Sequence, residues 1–231
     1  MPGGGVARRP LHFIVMADQS GGMAGEKMQA LNFAIADMLS YLAEWERDQL
    51  RAQVLVRVLG FATECEWHVK EPTPVSEIDF KPLRAVHHGW TNMAPAFRAV
   101  AEAIGSGKLE SRALNPAILL VTDGRPTDGP GEFEAGLSAL TSFPAGRSAL
   151  RLAMAIGRDA DSEYLERFIG DPQIPVLVAE DIDKIADRLV AVSIAVSHMS
   201  EAAADRGAMA ERVFIPGPES DNRTSGRETI V

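Results

Sequence analysis

Three short, almost unbroken apolar runs, residues 11–17, 54–61 and 116–122, constrain this chain more than any other feature. A strand that is apolar at every position, rather than at alternate ones, must be covered on both faces, and that is the situation of central strands in a parallel sheet flanked by helices. The segments between the runs have the complementary period. Met28, Leu31, Ile35, Met38, Leu39 and Leu42 recur three and four residues apart, as do Met93, Phe97, Val100 and Ile104. Each series lays an apolar stripe along one side of a helix. Strand and helix patterns in alternation predict an α/β, Rossmann-like, three-layer doubly wound fold with a mostly parallel central sheet.

The remaining elements follow from the same periods. A first helix is expected to run to about Trp45, and residues 66–69 to return beside the second strand as a short antiparallel partner. Pro72, Pro74 and Pro82 are expected to break any regular element, and the next helix to open near Thr91-Asn92 and stop at residues 105–107. Beyond it come a helix over 132–140, a strand over 149–156, a short helix over 162–168, a strand over 174–178 and a last helix over 182–198. This organisation gives an N-terminal extension over 1–10, one domain over 11–198, and a C-terminal segment over 199–231. The run 216–231, rich in Pro, Gly, Ser, Asn and charge, predicts a flexible tail, with Val213-Phe214-Ile215 as its one apolar anchor.

A formal net charge of -9 argues against a nucleic-acid backbone or an acidic membrane surface as partner, because both need Lys and Arg in excess. The single cysteine, Cys65, permits no intrachain disulfide and suits a reducing compartment. The apolar run after Arg8 and Arg9 meets Asp18 too soon for a signal-peptide core, so a soluble, cytoplasmic protein is expected.

Open α/β sheets bind ligands at the carboxyl ends of their strands. Asp18 and Ser20 follow the first run, Thr91 opens a helix, and Asp123 closes the third run. Carboxylate and hydroxyl oxygens without His or Cys suit a hard cation, Mg2+ or Mn2+ with Ca2+ as a further candidate, rather than Zn2+. The same loops carry Gly22, Trp90, Asn92 and Arg125 as candidate partner contacts, an exposed aromatic being a favoured anchor at interfaces. Plainer roles stand beside these. Asp18 and Thr91 also suit caps or turns, Thr127 and Asp128 suit turn formation after Pro126, and His87 and His88 suit a loop surface.

The three loops together resemble the von Willebrand factor A-type (vWA) family with its metal-ion-dependent adhesion site. The first motif, Asp-x-Ser-x-Ser, reads here Asp18-Gln19-Ser20-Gly21-Gly22; the second is Gly89-Trp90-Thr91-Asn92; the third is Val121-Thr122-Asp123-Gly124. The resemblance spans about residues 10 to 198. It implies a site in which Ser20 and Thr91 hold the metal directly, and Asp18 and Asp123 directly or through water. The second serine of the first motif is replaced by Gly22, which removes one direct ligand.

Within the family, Thr122-Asp123-Gly124-Arg125-Pro126-Thr127-Asp128 is similar to the bacterial tellurium-resistance TerY-like branch, as are Met23-x-Gly25-Glu26-Lys27 and Asn32. That resemblance implies a stress-response or signalling role beside kinase and phosphatase partners. The function so implied is metal-dependent binding of another protein, whose acidic side chain would complete the metal shell. A metal-free scaffold using the same face is the first alternative. A Mg2+-dependent phosphohydrolase is the less favoured one, since the chain has no Gly-x-Ser-x-Gly elbow, no phosphate-binding Gly-rich loop, and Ser20 where a second Asp would be wanted.

Overall fold

The computed structural model describes residues 8–48, 52–105, 107–157, 162–181, 184–189, 192 and 196. Its centre is the first strand, β1 (Arg9–Asp18), which pairs in parallel with β2 (Ala52–Phe61) on one side and with β4 (Ala117–Thr122) on the other. The full order is β3-β2-β1-β4-β5-β6, with β3 (Cys65–Pro74) antiparallel at one edge and β5 (Leu150–Ile156) and β6 (Leu177–Ala179) parallel toward the other.

The unbroken apolar runs have the predicted cause. Phe13, Val15 and Ala17 of β1 join α1 (Glu26–Asp48) in one core layer, while Ile14 and Met16 join α2 (Met93–Ile104) and α3 (Glu132–Thr141) in the other. The short helix α5 (Ser162–Ile169) also packs in the second layer, through Leu165, Phe168 and Ile169. Residues 184–189 are helical, and Ile185 and Leu189 close the first layer beside α1. Both sheet faces are therefore dry, and burial of this kind contributes about 25 cal/mol per Å² of apolar surface.

Several expectations are corrected. The segment assigned to an N-terminal extension contributes Arg9 and Pro10 to β1, and α1 continues past Trp45 to Asp48. Pro72 and Pro74 do not end regular structure: they lie within β3, a ten-residue edge strand with register shifts between Val56 and Val58 and between Val58 and Leu59 of its neighbour. A proline lacks a ladder donor, but an edge strand leaves one row of backbone groups unpaired in any case. The last strand is Leu177–Ala179 rather than 174–178, and a five-residue helix, α4 (Pro144–Ser148), follows α3 where none was expected. The segment 199–231 and the ends of the expected 182–198 helix lie outside the described residues.

Candidate functional site

The strand order reverses direction at β1. From β1 the chain winds through α1 to β2 on one side, and through α2 it returns to β4 on the other. The crevice at the carboxyl ends of β1 and β4 is thus the switch point where ligands bind in open α/β sheets. Asp18 is the last residue of β1 and Asp123 directly follows β4.

Asp18 is fully buried, and its carboxylate is oriented from both sides. The backbone N–H of Ser20 donates to Oδ1 at 2.7 Å, and the Thr122 hydroxyl, reaching across from β4, donates to Oδ2 at 2.5 Å. Burial pushes this carboxyl above its ordinary value, against those hydrogen bonds and with a smaller contribution from the nearby Asp123 charge. Ser20, Thr91 and Asp123 are buried as well.

Backbone hydrogen bonds lace the three loops together. Gly21 N–H donates to Gly89 O at 3.1 Å, tying the first loop to the second, and Thr127 N–H donates to Thr91 O at 2.9 Å, tying the second to the third. The Thr127 hydroxyl accepts from Thr91 N–H at 2.8 Å and donates to Asn92 Oδ1 at 2.9 Å. Asp128 accepts from the N–H groups of Met93 (2.8 Å) and Ala94 (2.9 Å), so it caps α2 from a distant loop. Farther out, the Gln19 side-chain amide donates to Arg84 O at 2.7 Å. It passes so close to Gly60 that a Cβ there would overlap it at 1.8 Å.

Of the residues expected at the site, Asp18, Ser20, Thr91 and Asp123 converge on the one crevice. Gly22 is exposed at its rim, and an added Cβ there would lie 2.9 Å from Asp123 Oδ2 and 3.1 Å from Oδ1. Trp90 stands out of the second loop with 62% of its surface exposed, and Arg125 is exposed on the third. The Asn92 amide is engaged at both ends, donating to Thr63 O at 3.0 Å and accepting from Thr127, so its part is to brace the loop. His87 and His88 are both exposed as expected, although a left-handed φ of 58° at His88 leaves the two rings 4.2 Å apart.

Lys27 entered the sequence reading only as part of a motif resemblance, with no role at the site. Its ammonium lies 2.6 Å from Asp123 Oδ2, a contact between residues 96 apart in the chain. The roles of Thr122, Asp128 and Asn32 were also hidden. The Asn32 amide clamps Leu83 by accepting from its N–H at 2.7 Å and donating to its carbonyl at 3.0 Å. Lys27 did carry one legible signal: a cation in the first turn of a helix opposes the helix dipole, and so invites a search for a nearby carboxylate.

By chemical type, the oxygen donors are those a hard divalent cation takes. Two buried carboxylates and two buried hydroxyls stand on the three loops and are the donor chemistry such a cation takes, while no group of three or more His, Cys, Asp or Glu that could hold a metal is gathered among the described residues and the Lys27 ammonium already stands on Asp123. A cation held by these four oxygens would keep coordination positions open for water or for a partner's carboxylate.

No family model matches the sequence, and no curated protein matches it. Solved structures do match. Proximal thread matrix protein 1 from the mussel byssus, with a zinc-occupied MIDAS motif, superposes at TM-score 0.62 and 16% identity over 83% of this chain and 48% of that one. The ArnB paralog VWA2 from Sulfolobus acidocaldarius follows at 0.55 and 19% identity, over 79% and 45%. A von Willebrand factor type A protein from Catenulispora acidiphila follows at 0.54 and 16%, over 83% and 43%. The fold is the vWA fold. Its six-stranded, mostly parallel sheet and flanking helices are those seen above, and the chain spans about half the length of these vWA-containing structures or less. No described helix is long and apolar enough to cross a membrane.

Proposed function

We propose that this chain is a protein-interaction module that binds its partner through a divalent metal held by Asp18, Ser20, Thr91 and Asp123. The observation that carries the reading is the convergence of two buried carboxylates and two buried hydroxyls at the switch point of the sheet. A cluster of like charges removed from water is costly unless a cation compensates it. The zinc-occupied MIDAS motif of the mussel protein supports the same use of this crevice in the same fold. When bound, the metal would supply a Lewis-acidic position for an acidic side chain of the partner. Mg2+ or Mn2+ suits the oxygen donors best, with Ca2+ as a looser fit. Trp90, exposed beside the crevice, would supply the apolar anchor of the contact. The family branch that loop 122–128 resembles supports a stress-response or signalling setting, beside kinase and phosphatase partners. Binding rather than catalysis is the role proposed.

Titration of the full chain with Mg2+ and Mn2+, beside Asp123→Ala, tests this. Saturable binding at one site, lost in Asp123→Ala while the variant keeps its circular dichroism spectrum, is the expected result. Absence of binding in the parent chain overturns it and leaves the second reading, a metal-free scaffold using the same face. That reading is favoured by the Lys27–Asp123 pair and by the missing side chain at Gly22.

A further inference from the structure

We propose that Lys27 is a tethered counter-cation that holds the carboxylate crevice in a metal-free state, and that a divalent ion must displace it to bind. The inference rests on the reading of the crevice as a cation centre and adds a competitor built into the chain.

Four observations converge on it. The ammonium lies 2.6 Å from Asp123 Oδ2, and the Asp123 side chain is only 6% exposed, so the contact neutralises a charge that water does not reach. Lys27 is the second residue of α1, where the helix dipole disfavours a cation, and the Asp123 carboxylate offsets that cost. The Lys27 side chain is 34% exposed on a flexible stem, so its head is free to swing into solvent when another cation arrives. Gly22 completes the device. A Cβ at that position would press to within 2.9 Å of the same carboxylate oxygen, so the side chain absent from the first motif leaves room for Asp123 as it stands against Lys27. The open space at Gly22 and the ammonium of Lys27 therefore meet at one carboxylate, that of Asp123.

Displacement has a signature of opposite signs. Without Lys27 the crevice loses its resident positive charge, so the metal-free fold is weakened, while an incoming metal no longer competes. A general loss of structure would weaken both states together. The experiment measures Mn2+ binding by calorimetry, and the melting temperature in excess chelator, for the parent chain, Lys27→Met and Lys27→Arg. Methionine keeps the length and helix propensity of the stem, and arginine keeps the charge. Lys27→Met is expected to bind Mn2+ about tenfold more tightly than the parent, the scale of a partly exposed ion pair, and to melt at a lower temperature in chelator. Lys27→Arg is expected to gain no affinity and to keep its melting temperature. Mn2+ binding that is equal in the parent and Lys27→Met overturns the displacement. If none of the three chains binds Mn2+, the cation reading of the crevice fails and displacement fails with it. Lowered chelator-state melting in Lys27→Met alone then still distinguishes a structural counter-ion from an idle surface pair.

Discussion

Asp18 shows at the scale of one side chain what the site costs the fold. Its carboxylate has two hydrogen bonds and almost no water, and burial is the largest influence on it, holding its pKa above the ordinary 3.8. For a carboxyl raised in this way, the stability it contributes is fully present below 3.8 and is lost as pH rises through the raised folded value, because the unfolded chain accepts the charge more readily. At a pH above its ordinary value the group therefore works against the metal-free fold. Asp18→Asn keeps the shape and removes the charge. It is expected to raise the melting temperature in chelator at pH 7 by a few degrees and to abolish Mn2+ binding, with the stability gain closing as the pH approaches 4, on the order of the ordinary carboxyl value. Thermal melts across pH check this. A lowered melting temperature at pH 7 would mean that the hydrogen bonds to the charged form outweigh its desolvation.

At the scale of elements, α2 is held at its start by a residue that does not belong to it. Asp128 takes the N–H groups of Met93 and Ala94, and the adjoining Thr127 takes that of Thr91. The third loop thus positions the second, and with it the Thr91 hydroxyl. Asp128→Ala would strand two donors in the first turn of α2 and is expected to cost about 1–2 kcal/mol. In a domain of this size that lowers Tm by roughly 2–8 °C. Mn2+ affinity should fall several-fold, although Asp128 is no part of the donor set. Calorimetry of the variant beside Asp123→Ala separates the two roles, since the first weakens binding and the second removes it. The same element explains the limits of sequence reading. The three buried strands and the two long helices were legible because periodicity is a local property, and Asp18 and Asp123 could be named as candidates because they stand where such strands end. The cap by Asp128 and the pair of Lys27 with Asp123 were not, because those contacts depend on which loops the finished sheet brings together. Pro72 and Pro74 misled for a related reason: a proline excludes a central strand but not an edge, and edge position belongs to the topology.

At the scale of the whole molecule, β1 carries polar groups at both of its ends. Asp18 closes it at the carboxyl end; near the other end His12, only 1% exposed, donates a ring N–H at 2.7 Å to Glu110. Six residue-to-residue steps of extended chain separate the two, about 20 Å. The hydrogen bond from His12 is the chief cause that holds the Glu110 carboxyl below its ordinary 4.5, so the stability this group contributes is present above 4.5 and is lost as pH falls through the depressed value. Glu110→Ala removes the partner of a buried imidazole and is expected to cost about 1–2 kcal/mol near pH 7, a difference that shrinks in acid as Glu110 in the parent protonates. Sites this far apart with no shared partner add within about 0.5 kcal/mol. The double variant Glu110→Ala with Asp128→Ala should therefore lose the sum of the two single costs, and Glu110→Ala alone should leave Mn2+ affinity unchanged. Denaturant melts of the four chains and one titration measure both. An excess over the sum well beyond that margin would require β1 to transmit strain along its length, which a strand packed on both faces between α1 and α2 resists because neither layer has room to yield.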